Sequence, residues 1–301
     1  MREHLLGRVD GLDPGPLIVV VGAVHGNEPA GVTAIRRLLD VLTADEPLLR
    51  GRVVGLLGHP EAYARGVRQV DEDLNRVFTP ARLADLRQGA PRSLEAACAK
   101  TLLATLAAEV ADYAPEELVV VDLHTTSADG GDFVAMGDQP ATVELGRGFG
   151  APVVLGLTSV LPGTLCGYLD GRAFGVPTRA FGYEAGAHDG PESPDRAYAL
   201  LVALLTRLGM AAPEAFGPHV PLTLGDPPRP ALSEVVFRLG IPPGGQFTMM
   251  PGYRNFDPVQ AGQVIAYLDG ESVALERGGY LLMPLYQGMG RDGFFIVEAR
   301  V

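Results

Sequence analysis

Two short stretches constrain this chain more than any other: "LIVVV" (Leu17–Val21) and "LVVV" (Leu118–Val121) are apolar at every position. A strand with one wet face alternates apolar and polar residues. These stretches do not, so both of their faces must be covered, as in a parallel sheet held between layers of helix. The longest apolar runs, Leu17–Val24 and Ala197–Leu205, are far shorter than the roughly 20 residues of a membrane span. No span is expected.

The order of elements extends this reading. An edge strand is expected near His4 to Val9, followed by the buried strand of "GPLIVVVGAVH". After Pro29, "PAGVTAIRRLLDVLTAD" has helical spacing, with Val32, Ile35, Leu38, Leu39 and Leu42 on one face and Arg36, Arg37 and Asp40 turned away. "RVVGLLGHP" supplies another strand, and a polar loop is expected from Glu61 to Thr79. Ser93 caps a helix reaching about Tyr113, and "ELVVVDLH" is a second buried strand ending at His124. Two more strands, "APVVLG" and "PTRAFGYE", lie between Ala151 and Glu184. A helix then follows, with Ser193 as cap, Pro194 at its first position and Gly209 as stop. Strands alternating with helices imply an α/β domain over residues 1–211. Past a stretch rich in Pro and Gly, five short strand candidates separated by turns ("SEVVFRL", "GQVIAYLDG", "ESVALERGG", "GYLLMPLY", "GFFIVEARV") imply a smaller all-β domain over 212–301.

Composition narrows the function. A net charge of −12 argues against a nucleic-acid partner, whose phosphates demand a basic surface. "MREHLLGRVDG" lacks the charged-then-apolar pattern of an export signal, so a cytoplasmic location is expected. The two cysteines, Cys98 and Cys166, stand in no metal-ligand spacing and are expected to be reduced.

Candidate chemistry collects at the strand ends, where open α/β sheets bind ligands. His25 and Glu28 follow one buried strand and His124 ends the other. Two imidazoles and a carboxylate would leave a fourth position of a tetrahedral zinc ion open for water, as at catalytic zinc sites. Cobalt or nickel could occupy the same set. Hydrolysis also needs a base, for which Glu184 in "FGYEAGAHDG" is the candidate. Asp122, two residues before His124, is placed to accept the other imidazole proton, or else is a sheet-end carboxylate bonded to backbone. The loop "RGVRQVDEDLNRVF" concentrates Arg68, Asp73, Asn75 and Arg76, and arginine forks match carboxylates and developing oxyanions. His59, His188 and His219 read as ordinary loop or strand-end residues.

Together, "GAVHGNEPAG", "VDEDLNRVF", "VVDLHTTSADGG" and "GYEAGAHDG", in this order, resemble the succinylglutamate desuccinylase/aspartoacylase family. The resemblance implies a zinc carboxypeptidase-like α/β core, with a mixed, mostly parallel sheet flanked by helices, and a smaller C-terminal all-β domain. It implies one zinc per chain held by His25, Glu28 and His124, with Glu184 as general base and acid. Arg68 would polarise the amide carbonyl, and Asn75 and Arg76 would hold substrate oxygens. For the family's further substrate-binding arginine, Arg172 is the nearest candidate and Arg179 its rival. "DLHTTSADGG" departs from the pattern by lacking the asparagine that some relatives carry after the histidine.

The expected partner is therefore a small N-acyl amino acid, hydrolysed to a carboxylate and a free amino acid, with no nucleic acid and no membrane. A homo-oligomer stays open, as do the acyl group and the amino acid. The alternatives are a metallocarboxypeptidase acting on short peptides and a noncatalytic zinc protein. A lipoyl-type carrier would need an acceptor lysine, and the chain's single lysine is Lys100, far before the β region.

Overall fold

A computed structural model of the chain describes residues 3–44, 48–219, 221–223 and 228–300. Parts of the expected Pro- and Gly-rich connector (220 and 224–227), the end of the first helical pattern at 45 and the last residue of the final strand pattern lie outside them. In chain order the elements begin β1 (Leu5–Asp10), β2 (Asp13–Gly22), α1 (Ala30–Ala44), β3 (Arg50–Leu57), α2 (Pro60–Arg65), α3 (Pro80–Gln88), α4 (Leu94–Tyr113) and β4 (Leu118–Thr126). They continue with β5 (Phe133–Met136), α5 (Pro140–Arg147), β6 (Val153–Leu155), α6 (Leu157–Val160), α7 (Leu165–Leu169), β7 (Gly171–Ala173), β8 (Val176–Ala187) and α8 (Ser193–Arg207). From there on the regular elements are strands apart from a short 3-10 turn: β9 (Leu232–Gly240), β10 (Phe247–Met249), β11 (Pro258–Val259), β12 (Val264–Leu268), β13 (Glu271–Ala274), β14 (Gly279–Leu282) and β15 (Asp292–Ala299).

Among the described residues the main sheet runs β1-β3-β2-β4-β8-β5-β6-β9-β15-β14-β11, with β7 paired to β8. The two all-apolar strands sit side by side in its middle, β2 parallel to both β3 and β4, and β4 parallel to β8. Their uniform apolarity has the cause inferred from the sequence. Ile18 and Val20 pack on one face with α1 and α8, and Leu17, Val19 and Val21 pack on the other with α3, α4 and α7. Each residue is buried because each face carries helices.

The C-terminal strands pair with one another in antiparallel fashion, in the main sheet and in a second sheet of order β10-β12-β13. The main sheet does not stop where they begin, because β9 pairs parallel with β6. Phe133 and Val154 of the α/β part share a buried cluster with Leu282, Phe295 and Val297 of the β part.

Three local expectations change. The segment from Glu61 to Thr79 holds α2 and a 3-10 turn (Leu74–Arg76); it is compact because His59 and Asp73 cap these two turns. Glu192, not Ser193, precedes the helix α8, and Ser193 Oγ instead donates to the Ala187 carbonyl at 2.7 Å, closing the turn after β8. The strands that deliver His124 and Glu184 run past them, to Thr126 and Ala187. Both cysteines are buried and free, and no helix of the described residues is long and apolar enough to cross a membrane.

Candidate active site

The chain leaves β2 at Gly22 and enters α1 at Ala30 through seven residues that must turn tightly. Ala23 does so with φ at 55°, a left-handed conformation costing an L-residue about 1–2 kcal/mol. Two glycines make room for the turn. A Cβ at Gly26 would lie 2.1 Å from the Ala62 carbonyl carbon of α2, and one at Gly31 would lie 2.7 Å from Leu123 Cβ, beside His124. The loop is thereby clamped between α2 and β4. His25 and Glu28 are pressed against the end of the neighbouring strand.

There the sequence-predicted ligands converge. His25, Glu28 and His124 are buried, and one donor atom from each lies within 4.8 Å of the others. Glu28 sits between the rings, its Oε1 at 2.9 Å from His25 Nδ1 and its Oε2 at 3.0 Å from His124 Nδ1; the ring centroids are 5.0 Å apart. The far nitrogens are also spoken for. His25 Nε2 lies 3.2 Å from Asp73 Oδ1, and His124 Nε2 lies 2.8 Å from Asp122 Oδ2.

Each ring thus lies between two carboxylates, and each Nε2 also meets an N–H group, Arg68 Nη2 at 2.9 Å from His25 and Asn75 Nδ2 at 3.1 Å from His124. Both Nδ1 atoms face the Glu28 carboxylate, which only accepts, so the contact needs something positive on each nitrogen. Such a set is stable only with a cation between the groups, either a proton or a metal. Electrostatics in the chain as described match the proton alternative. Burial works against a charged His124, but Asp122 and Glu28 outweigh it and hold the imidazolium well above its ordinary range. Burial likewise opposes charge on Glu28, yet His25 and His124 hold its carboxyl well below the usual range. Two neutral imidazoles, a carboxylate and carboxylates behind both rings form the donor set and support that a zinc ion requires.

The base candidate lies alongside. Glu184 on β8 is the register partner of His124 on β4, and a bulge follows at once, with Thr126 opposite Ala187. Burial pushes the Glu184 carboxyl up to about 8, against the pull of His124 and with Glu28 and Asp122 adding to it. Its Oε2 is buried and bonds to nothing among the described residues, as is Arg68 Nε.

The arginine loop meets the same cluster. Arg68 Nη2 donates to Asp73 Oδ2 at 3.0 Å, and its Nη1 lies 3.5 Å from Glu28 Oε1. Asn75 is buried with its amide engaged: Oδ1 accepts from Leu165 N at 2.8 Å, and Nδ2 donates to Asp122 Oδ2 at 3.3 Å. Arg76 reaches Asp292 Oδ2 at 2.8 Å.

All of these line one cavity of about 750 Å³. Arg172 does not. It stands exposed on the β7–β8 hairpin with Nη2 donating to the Gly175 carbonyl, because the hairpin turns away from the cavity. Arg179 is paired with Glu117 at 2.7 Å, also outside.

The cavity draws instead on residues that sequence reading passed over. Arg238 on β9 donates through Nε to Asp292 Oδ1 at 2.6 Å, so two arginines share one carboxylate across the cleft. Nothing in the short-strand rhythm marks either residue, since their placement depends on the β6–β9 pairing. His188 lines the wall, its Nδ1 2.7 Å from Thr125 Oγ1, and burial pushes its pKa below the ordinary value. Its nearness to Glu184 in "YEAGAH" was the available signal. Asp73, read as part of a donor-rich loop, is the carboxylate behind His25.

The profile of the succinylglutamate desuccinylase/aspartoacylase catalytic domain matches residues 14–197. A succinylglutamate desuccinylase of Pseudomonas paraeruginosa is 41% identical over 66 residues, 22% of this chain and 20% of that protein. A probable aspartoacylase of Nostoc sp. is 31% identical over 123 residues, 40% of this chain and 39% of that protein. These matches thus span well under half of either relative. Among solved structures, the succinylglutamate desuccinylase of Vibrio cholerae superposes with a TM-score of 0.69 at 19% identity, covering 94% of this chain and 81% of that one. The product-bound ectoine utilization protein EutE (DoeB) of Ruegeria pomeroyi superposes at 0.66 with 19% identity, covering 97% and 87%.

Proposed function

The chain belongs to the succinylglutamate desuccinylase/aspartoacylase family, and we propose that it hydrolyses the amide bond of an N-acyl amino acid with zinc held by His25, Glu28 and His124. The observation that carries this reading is the pair of Nδ1 atoms turned onto Glu28 with a carboxylate behind each ring. Zinc bound there would acidify a water and polarise the acyl carbonyl.

The rest falls to the chain's own residues. Glu184, with Oε2 unengaged and its pKa near neutrality, takes the proton of the attacking water and returns it to the departing nitrogen. Arg68 donates to the oxygen on which charge develops in the tetrahedral species. Arg76 and Arg238, two cations around the single carboxylate of Asp292, leave one positive charge uncompensated and bind the carboxylate of the amino-acid half. Asn75, braced between Asp122 and Leu165 N, fixes the floor on which the substrate oxygens lie. Asp292 and Arg238 come from the C-terminal β strands, which supports a role for the 212–301 region in closing the cleft around a small substrate.

A panel of N-acyl amino acids, varied separately in the acyl and amino-acid halves, tests the proposal. Release of free amine that stops on chelation and returns with zinc is expected. Cleavage of peptides in preference to the whole panel would favour a carboxypeptidase instead.

A further inference from the structure

The loop carrying Arg68 and Asp73 is tied to the body of the protein through Glu95, the second residue of α4, whose exposure is 0%. Its Oε1 accepts from Val70 N at 2.6 Å and from His59 Nε2 at 3.0 Å. Asp71 N reaches both oxygens at 3.2 Å, and Glu72 N reaches Oε2 at 3.2 Å. Consecutive backbone N–H groups converging on one point form an anion-binding nest, and the first turn of a helix favours the negative charge. His59 is fixed in its part: Nδ1 accepts from Ala62 N at the start of α2, so the proton lies on Nε2 and faces Glu95. The loop answers in kind, with Asp71 Oδ2 accepting from Leu94 N at 2.7 Å.

The ends of this anchored stretch carry the chemistry. The Arg68 carbonyl accepts from Gly26 N at 3.2 Å, next to His25, and the Arg68 side chain donates to Asp73, whose other oxygen meets His25 Nε2. We propose that Glu95 is a positioning residue for the reaction. By fixing the path of residues 70–72 it aims Arg68 at the scissile carbonyl. This rests on the deacylase reading above. Glutamine at 95 keeps the shape but turns an NH2 group toward backbone donors, leaving buried N–H groups unbonded.

The test combines amide hydrogen exchange of the full-length protein with a double-mutant cycle. In Glu95→Gln, exchange at Val70, Asp71 and Glu72 should rise about tenfold or more while the sheet core stays protected. Its kcat should fall about 10- to 100-fold with KM little changed. In an Arg68→Ala background the same substitution should lower kcat less than about threefold further, because Glu95 acts through Arg68. Glu95→Asp, which keeps the charge, should recover part of the loss, and it takes the same two measurements if the glutamine variant fails to fold. Unchanged exchange at 70–72, or an equal loss of kcat with and without Arg68, overturns the proposal. A wild type that hydrolyses no N-acyl amino acid overturns the deacylase reading and the catalytic part with it, while exchange separately decides the hold on the loop.

Discussion

His124 and Glu184 are register partners on the adjacent parallel strands β4 and β8. Neighbouring strands lie about 4.8 Å apart, so the pairing sets a metal-ligand candidate and a base candidate side by side on one face of the sheet. A slip of one residue would send one of them to the opposite face. This juxtaposition is therefore a property of sheet register as much as of the residues.

The division of labour between these two partners can be separated by mutation. Glu184→Gln should bind metal as the wild type does, yet lose about 100- to 10,000-fold in kcat, the usual contribution of a general base and acid. Metal content and turnover measured on one preparation check this. Near-normal turnover would remove Glu184 from the proton path.

Metal uptake should release protons. In the metal-free chain Asp122 and Glu28 hold His124 protonated above its ordinary pKa, and burial holds Glu184 protonated up to about 8. A metal needs a bare Nδ1, and its charge draws the Glu184 proton off as well. Affinity should therefore rise with pH through the raised His124 pKa and flatten above it. Calorimetry at pH 7 in buffers of different ionisation enthalpy should report a net release of at least about one proton; zero release would contradict the protonated cluster.

The carboxylates behind the two rings should act on affinity. Asp122→Asn and Asp73→Asn each remove the negative charge of a carboxylate that orients an imidazole and raises its basicity, and each should weaken zinc binding about 10- to 100-fold. Competition against a chelator of known affinity measures it. Wild-type affinity in both variants would mean that other contacts orient the rings.

Substrate binding should depend on Arg238 and not on Arg172. Arg238→Ala should raise KM about tenfold or more for an N-acyl amino acid, the scale of a charge-assisted hydrogen bond of about 1.5–3 kcal/mol. Arg172→Ala, on its exposed hairpin, should leave kcat and KM unchanged. Equal effects of the two would place the substrate elsewhere in the cleft.

What the sequence disclosed and what it hid divide along physical lines. Unbroken apolar runs announced the two central strands, since only strands covered on both faces tolerate them, and His25, Glu28 and His124 were legible because they lie near the C-terminal ends of those strands. Asp122 was legible by its two-residue spacing from His124. Glu95 was not, because a buried carboxylate that collects backbone N–H groups has no periodic signature. Arg238 and Asp292 were hidden for another reason: they reach the cavity through pairing between strands nearly 80 residues apart in sequence, β6 and β9. Arg172 was expected at the cavity because chain order suggested nearness, whereas it stands exposed on the β7–β8 hairpin outside the cavity lining.

The central claim is that this cluster holds one catalytic metal, and one titration tests it most directly. Metal-free protein is titrated with zinc while hydrolysis of the best substrate of the N-acyl panel is followed in the same samples. Activity should climb linearly and break sharply at about one zinc per chain, and His124→Ala should show neither the tight binding nor the rise. Full activity in the stripped protein, or stoichiometric zinc without hydrolysis anywhere in the panel, would contradict it.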